Sequence, residues 1–568
     1  MEIHPPQPPA PETTLAIRIG WLVLILATLY VCYFSHLGAI GFVGPDEPRY
    51  AWIARAMAET GDWVTPRLYG QPWFEKPPLY YWGAALSFKL FGVTEAAARL
   101  PSALSALLAT LSLAWLALRL HGPETARWLL LLLPTTVGMI GFSHAAATDM
   151  PFSAMLTIAM VAAAALIRLI PDPGSPSGTS VAESSSNFSS SSLLQFAHST
   201  LFISMLFGLF LGLAVLAKGP AGLVLCGGTV SLWALITKRW RDALRLFHPA
   251  AIACFCLTAL PWYIFCAHRN PDFFRIFIIE HNFKRYLTPE FQHLQPFWYY
   301  LPILLIALFP WVGLSISAFT YVFRRKLGMQ PDDTSIFLIA WIIFPLIFFS
   351  ISRSKLPGYI LPAVPPFVML TAASLNRALR MPKVPVPAGF AAFALTPVIT
   401  VAAVSVGVYG EHFNLVPHWF ATVSAIIALT CAAACVICIL RRQTELLIGV
   451  GVLCLILFVE AIDLSPLPIV DRYISPRRVS ELVNAYPQSA GRIVVFRLKR
   501  SWQYGLNFYL HREIEEWNGD SNYPAIAVVS IEGLSELQYR HADFMVIDNT
   551  AMQAQVVQIG KANPEERK

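Results

Sequence analysis

The chain has 568 residues, of which 56% are hydrophobic and 13% are charged, about half the charged share of a soluble domain. That composition excludes a large soluble fold and points to a polytopic membrane protein. The net charge of +7 is no signal for nucleic acid, because in such a chain the position of the cations matters more than their sum.

Residues 1–14 are proline-rich and polar. The apolar run 15–37 that follows is too long for a signal h-region and lacks a clear small-residue cleavage site, so it reads as a retained first span behind a short cytoplasmic tail. Further apolar segments lie near 99–118, 128–142, 150–170, 199–217, 220–237, 249–267, 297–322, 335–352, 357–376, 387–409, 417–440 and 444–463. Cytoplasmic loops carry the excess of Lys and Arg. This puts KRWRDALR (238–245), FRRK (323–326), Arg377 with Arg380 and Lys383, and Arg441 with Arg442 on the cytoplasmic side, together with Arg119 and Arg127. These assignments agree only if 78–92 (PLYYWGAALSFKLFG) does not cross, and it reads as an interfacial helix. The expectation is an all-α membrane domain over 15–465 with about thirteen spans, its N-terminus inside and its C-terminus outside.

The serine-rich stretch within 171–198 then falls in the cytoplasm and reads as a disordered loop. The nine cysteines all fall in or beside apolar segments, and Cys435-x-x-Cys438 lies inside one. They read as buried thiols, with no disulfide framework and no metal knuckle. After Asp463 the composition changes. Pro466 and Pro468 mark a linker, RRVSELVNAY and SWQYGLNFYL look helical, and RIVVFRL, YPAIAVVSI and DFMVIDN look like buried strands. A small α/β domain over 471–568, on the outer face, is expected, with no catalytic constellation of its own.

On this topology five loops deliver charge to the outer side: 38–98, 143–149, the AKGP turn at 217–220, 268–296 and SRSKLPGY (352–359). Charge at a span's centre costs on the order of 2.5–3.5 kcal/mol per residue, and these residues sit at span ends. A transporter more often places charges or breaks near mid-span. A one-sided cluster of both signs suggests an active site at the membrane surface. In GPDEPRYAWIARAM (44–57), Pro48 suits a first helical turn, and Arg49 to Glu59 reads as an interfacial amphipathic helix. Asp46 and Glu47 then sit at its N-terminal end, where one of them would serve as a cap. A cap needs only one carboxylate, however, and the loop continues into GQPWFEKPPLYYW (70–82), where two prolines and several aromatics surround Glu75 and Lys76.

DEPRYAWIAR followed by GDWVTPRLYGQPWFEKPPLYYW resembles the bacterial lipid A aminoarabinose transferases and the related protein-mannosyltransferase-like enzymes, which are polyprenyl-phosphate-sugar-dependent glycosyltransferases of the GT-C architecture. The resemblance is strongest over 40–105 and continues through SHAAATDMPFS, AKGP, EHNF and KLPGYILP to about 365. It implies a bacterial inner-membrane enzyme whose site faces the periplasm. The implied donor is a sugar on undecaprenyl phosphate, and the acceptor is lipid A or a related envelope glycolipid. On the family pattern Asp46 and Asp149 are catalytic, with Glu47 beside them. Lys76, Arg49, Lys218, Arg285 and Tyr359 hold the donor phosphate. No cofactor is required by this pattern, and a divalent ion at Glu75 and His281 stays open. A protein O-mannosyltransferase and, from another class, a lipid-linked sugar transporter or flippase are the alternatives. The sugar, the acceptor and the oligomeric state are not fixed by these residues.

Overall fold

A computed structural model describes residues 15–170, 200–284, 294–316, 332–380, 418–441, 443–485, 492–518, 526–539, 544–551 and 553–559. Among these, eight helices are long and apolar enough to cross a bilayer: Leu15–Tyr33, Glu95–His121, Asp149–Leu166, Thr200–Lys218, Pro249–Arg269, Asp333–Ile351, Pro357–Leu379 and Glu445–Leu464. The serine-rich loop and the whole span expected at 387–409 with its flanks lie outside the described residues.

The N-terminal part runs through α1 (Leu15–Tyr33), α2 (Asp46–Thr60), a two-stranded hairpin of β1 (Arg67–Leu68) and β2 (Gln71–Pro72), α3 (Leu79–Phe91), α4 (Glu95–His121), α5 (Pro123–Leu132), α6 (Val137–Ser143) and α7 (Asp149–Leu166). Local chemistry sets these boundaries. The Thr94 hydroxyl accepts from the Ala97 amide to cap α4, Glu95 and the Arg119/His121 pair complement its two ends, and Gly122 at φ +86° stops it before Pro123 opens α5. The expected span at 128–142 is not one rod, because α5 and α6 meet at 62°. Pro134 lies in the break. The Val137 amide bonds the Phe309 carbonyl at 2.8 Å, and the Trp311 indole bonds the Thr135 hydroxyl at 2.9 Å, so polar groups at a membrane-buried break find partners inside the protein. Residues 300–308 form the helix Tyr300–Leu308, followed by a turn and a helical piece at 312–316.

At the core of the bundle, α7 lies between α4 and the Thr200–Lys218 helix and is buried almost throughout. The Thr200–Lys218 helix also packs against Pro249–Arg269 at close range. A Cβ at Gly208 would strike the Ala251 carbonyl, and one at Gly212 would come within 2.8 Å of Thr258. Small residues four apart allow that approach where lipid offers no hydrophobic drive between helices.

The chain direction gives the bundle two chemically distinct ends. Arg127 pairs with Glu445, Arg239 with Asp333, and Arg377 with Asp332 at one end. The opposite end carries the loop 34–94, the start of α7, the end of Thr200–Lys218 and the 352–359 turn. The segment 78–92 contains the helix α3, which packs against α2.

Beyond Leu464 come two short helices, Pro466–Ile474 and Arg477–Ala485, and then a five-stranded sheet in the order β4–β3–β5–β7–β6. Its strands are β3 (Ile493–Phe496), β4 (Glu515–Glu516), β5 (Ile526–Val529), β6 (Phe544–Asp548) and β7 (Gln555–Ile559). β3 is parallel to β4 and β5, while β7 is antiparallel to β5 and β6. IVVF and IAVV are buried along their whole length, as expected for central strands covered on both faces. The segments read as helices and strands in the sequence fall on these elements, except that β6, read as a buried strand, is an edge strand with Met545 and Val546 exposed; the helix Pro466–Ile474, where a linker was expected, β4, β7 and the helix Ile531–Tyr539 were not anticipated.

One ion pair fixes the loop 34–94 to the bundle. Arg99, 2% exposed in the second turn of α4, uses all five of its N–H donors. Its Nε and one Nη2 hydrogen go to the two oxygens of Glu47 at 2.9 Å each. Nη1 donates to the carbonyls of Leu37 and Ile40 at 2.8 and 2.7 Å, and Nη2 also to that of Gly41 at 3.0 Å. Glu47 in turn accepts from the amides of Val43 and Ala146. Arg99→Leu should therefore cost about 3–5 kcal/mol, because it strands a buried carboxylate. The check is a thermal melt of the detergent-solubilised protein, in which Arg99→Lys should recover only part of the loss, since an ammonium cannot reproduce the fork.

Candidate active site

α2 begins at Asp46 itself, with Pro45 before it and no side-chain cap. The cap reading of Asp46 therefore fails: its carboxylate does not accept from the helix amides but takes a hydrogen bond from Arg49 Nη2 at 2.5 Å. Glu47, expected beside it as a catalytic acid, turns the other way into the Arg99 bond network. The helix also does not lie free on a lipid surface. Tyr50, Ile53, Ala54 and Met57 are buried, and α2 packs between α3 and the helix Arg500–Leu510 of the C-terminal region. The periodicity of Arg49 to Glu59 is real, but its outer face is covered by protein.

Arg49 is the hub of the first cluster. Its Nη2 also pairs with Glu75 at 3.0 Å. Lys76 Nζ lies 3.9 Å from the other Glu75 oxygen. The guanidinium sits 5.2 Å from the Tyr50 ring centroid, 5.4 Å from Trp73 and 5.9 Å from Tyr504. Three buried donors around it, Arg49 Nε, Trp73 Nε1 and Tyr81 Oη, have no acceptor among the described residues. Burial holds the Tyr50 and Tyr81 phenols well above their ordinary pKa, so both stay protonated. Asp46 is 49% exposed but set in a recess among these groups. Burial pushes its carboxyl above its ordinary value, Arg49 and Lys76 pull it back, and Glu75 and Asp149 push it up again.

That list includes a residue from a second cluster. Asp149, the first residue of α7, pairs with Lys218 Nζ at 2.5 Å. Lys218 ends its helix, followed by Gly219 at φ +78° and Pro220, so the AKGP turn is a helix stop that leaves the ammonium at the bundle's edge. The ammonium lies 4.5 Å from the Tyr359 ring centroid and 5.6 Å from that of Phe152. Gly358 is needed beside them, because a Cβ there would collide with the Asp149 carboxylate. In the same turn Lys355 is 6% exposed and donates to the Ser352 carbonyl at 2.5 Å. Burial, and then Arg353, pull its ammonium below its ordinary pKa.

Of the residues expected from sequence, Asp46, Arg49, Glu75 and Lys76 form one cluster and Asp149, Lys218 and Tyr359 another. Arg285 lies outside the described residues. His281 is carried by the wide-turn helix Arg275–Lys284, whose Phe277 packs in one apolar cluster with Phe74 and Trp262 below the loop. Glu75, its expected partner on a metal, is engaged with Arg49 and Lys76. Among the described residues no three His, Cys, Asp or Glu side chains converge as a metal site.

The sequence reading missed Arg99 and the whole contribution of the C-terminal region. Tyr504 faces Arg49. Asn507 bonds the Tyr69 hydroxyl at 2.8 Å, and Arg55 reaches the Phe508 carbonyl at 3.3 Å. The Tyr509 hydroxyl accepts from the Phe42 amide at 2.9 Å and donates to Glu95 at 2.8 Å. A charged residue near the start of an otherwise apolar span was a usable signal for Arg99. SWQYGLNFYL carries no such signal.

Residues 19–277 match the family of dolichyl-phosphate-mannose-protein mannosyltransferases. The undecaprenyl phosphate-alpha-4-amino-4-deoxy-L-arabinose arabinosyl transferase of Edwardsiella ictaluri is 33% identical over 360 residues, 63% of this chain and 60% of that protein. That of Aeromonas salmonicida is 34% identical over 330 residues, 58% of this chain and 55% of that protein. Over these stretches the chain is similar to the aminoarabinose transferases. The matches span little more than half of those relatives' own length. The fold extends further: the crystal structure of ArnT from Cupriavidus metallidurans bound to undecaprenyl phosphate superimposes with a TM-score of 0.73 over 95% of this chain and 98% of that one, at 24% identity. The resemblance read from DEPRY and EKPP is thereby borne out, and the shared fold includes the C-terminal region.

Tyr509→Phe tests how firmly that region is seated. Loss of the hydroxyl leaves the buried side of Glu95 and the Phe42 amide short of a partner and should cost about 1–3 kcal/mol. It should lower the melting temperature, whereas Tyr539→Phe on an exposed side chain should leave it unchanged.

Proposed function

We propose that the protein is an integral inner-membrane glycosyltransferase that moves a sugar from undecaprenyl phosphate to an envelope glycolipid of the lipid A type. The observation that carries this reading is the Asp46–Arg49–Glu75–Lys76 cluster, a nest of cations and unsatisfied buried donors beside one accessible carboxylate, set at the end of an apolar bundle. Donors without a protein acceptor are costly to bury, and three of them around a guanidinium suit a ligand rich in oxygen. The relatives' activity supplies the donor and sugar class: undecaprenyl phosphate and 4-amino-4-deoxy-L-arabinose.

In this reaction the bond from the anomeric carbon to the lipid phosphate oxygen breaks as an acceptor oxygen attacks the carbon. Negative charge builds on the departing phosphate. Lys76 and Arg49 meet it as a point charge and a fork, respectively, in a partly dry recess where fixed cations are worth several kcal/mol. Asp46 faces the positive charge that develops at the anomeric carbon and orients the acceptor, taking its proton if the acceptor is a hydroxyl. Asp149, Lys218 and Tyr359 form the neighbouring half of the site, with Lys218 and Arg285 as further phosphate contacts. Glu47 serves the architecture through Arg99. No step is routed through a metal. Protein mannosylation is the second reading, favoured by the family that residues 19–277 match; it shares the donor half of this mechanism and differs in the acceptor.

The bundle end rich in Arg18, Arg119, Arg127, Arg168, Lys238, Arg239, Arg241 and Arg377 is assigned to the cytoplasm. The site and the C-terminal sheet then face the periplasm, and the topology of about thirteen crossings is kept as part of this reading beside the eight apolar helices of the described residues. In a protein freed of native cysteines, Thr60→Cys should react with a membrane-impermeant thiol reagent in cells with permeabilised outer membranes, and Leu244→Cys should not. The reverse pattern would overturn the orientation.

The catalytic assignment is tested by transfer from a defined undecaprenyl-phosphate sugar to lipid A in liposomes. Asp46→Asn should lower turnover by roughly 10²-fold or more with the melting temperature nearly unchanged, because the carboxylate caps nothing. Lys76→Ala should lose donor affinity and rate together. Full turnover in Asp46→Asn would remove the carboxylate from the chemistry, and transfer to protein but not to lipid A would favour the second reading.

A further inference from the structure

A groove enclosing about 540 Å³ opens where the last described span meets the C-terminal region, lined by Pro468, Asp471, Arg472, Arg477, Arg478 and Glu481 together with Leu482 and Ala485. It belongs to neither charged cluster of the candidate active site. Its position is set by the chain. The helix Glu445–Leu464, long and apolar enough to cross a bilayer, ends one residue before the helix Pro466–Ile474 begins, so the groove adjoins the end of that helix in the chain. Leu467, Ile469, Val470 and Ile474 place apolar side chains on that short helix beside Arg472.

Three guanidinium groups face two carboxylates, and one of each is already committed. Arg477 pairs with Glu95 at 3.0 Å and Asp471 at 3.5 Å and donates to the Gly38 carbonyl. Asp471 is turned inward, accepting the Gly41 amide at 2.6 Å. Arg472 is exposed, and Arg478 has its Nε buried with no hydrogen-bond partner. Neither forms an ion pair with a carboxylate among the described residues. Both line a recess large enough for a phosphodiester with part of its headgroup.

We propose that this groove binds the phosphate of an anionic membrane lipid, held by the forks of Arg472 and Arg478. Guanidinium groups take phosphate oxygens in pairs, and a site just past the end of a membrane-crossing helix admits a headgroup while its acyl chains stay in the bilayer. Arg477 holds the floor of the groove through Glu95 and Asp471, and the segment 38–41 beneath Arg99 is anchored there by the Arg477 bond to the Gly38 carbonyl and the Gly41 amide bond to Asp471. A bound headgroup therefore bears on the same backbone that Arg99 fixes. The lipid is either a bilayer phospholipid or a phosphorylated glycolipid, and the two share this chemistry.

The full-length protein is reconstituted in nanodiscs of phosphatidylcholine doped with either phosphatidylglycerol or lipid A, and the lipid retained on extraction is quantified by mass spectrometry. Wild-type protein should retain one or both anionic lipids over phosphatidylcholine, and the double variant Arg472→Gln/Arg478→Gln should lose that preference by roughly tenfold, the equivalent of one charged hydrogen bond. Retention of phosphatidylglycerol identifies the bilayer source, and retention of lipid A alone identifies the glycolipid. Glu481→Gln removes the carboxylate that faces the groove and should raise retention, which keeps the test decisive if the double variant fails to fold. Equal retention in wild type and variants would overturn the proposal, as would complete competition by inorganic phosphate, which would make the groove a site for the free ion.

Discussion

The structure depends on one buried guanidinium. Arg99 sits in the second turn of a membrane-facing helix with every donor used, and two of its five bonds go to Glu47. Three more clamp the carbonyls of Leu37, Ile40 and Gly41, the stretch by which the chain leaves α1. Since Glu47 is the second residue of α2, this pair sets the helix's starting point and, one residue earlier, the position of Asp46. An isolated charge would be prohibitive at that depth. The network is tolerable because both partners are saturated, and for that reason it holds the loop rigidly.

Rigidity at Glu47 gives the neighbouring acid its freedom. Two adjacent carboxylates point to opposite sides: one into a closed network, the other into an open recess beside Arg49. The charges there are balanced in pairs without being neutralised in place. Arg49 is shared between Asp46 and Glu75, Lys76 reaches Glu75 at a longer distance, and Asp149 reaches Asp46 only through its field. The aromatic rings of Tyr50, Trp73 and Tyr504 keep the guanidinium in place on three sides, and the last of these belongs to the C-terminal region.

That region acts as a lid fixed by polar bonds. Asn507, Tyr509 and Phe508 reach Tyr69, Glu95, Phe42 and Arg55, so the helix Arg500–Leu510 covers the outer face of α2. A covered helix can keep the charged and aromatic residues of an interfacial one while lying in a protein interior, which is why its sequence reads as amphipathic.

The sequence by itself determined the class, the two-ended distribution of charge, the position of the reactive loops at span ends and the identity of Asp46, Arg49, Lys76 and Asp149 as candidates. These are local facts: hydropathy over about 20 residues fixes a span, and DEPRY and EKPP lie within one loop. It also marked the segments of β3, β5 and the helices near 477 and 500. Only the tertiary structure decided which of two adjacent carboxylates faces the recess beside Arg49, because that choice is made by Arg99, 52 residues away from Glu47. It alone bent α5 against α6, joined Asp149 to Lys218 across 69 residues, and brought Tyr504 over Arg49. Each of these is a pairing across long sequence separation, and no periodicity or composition in either partner encodes the other.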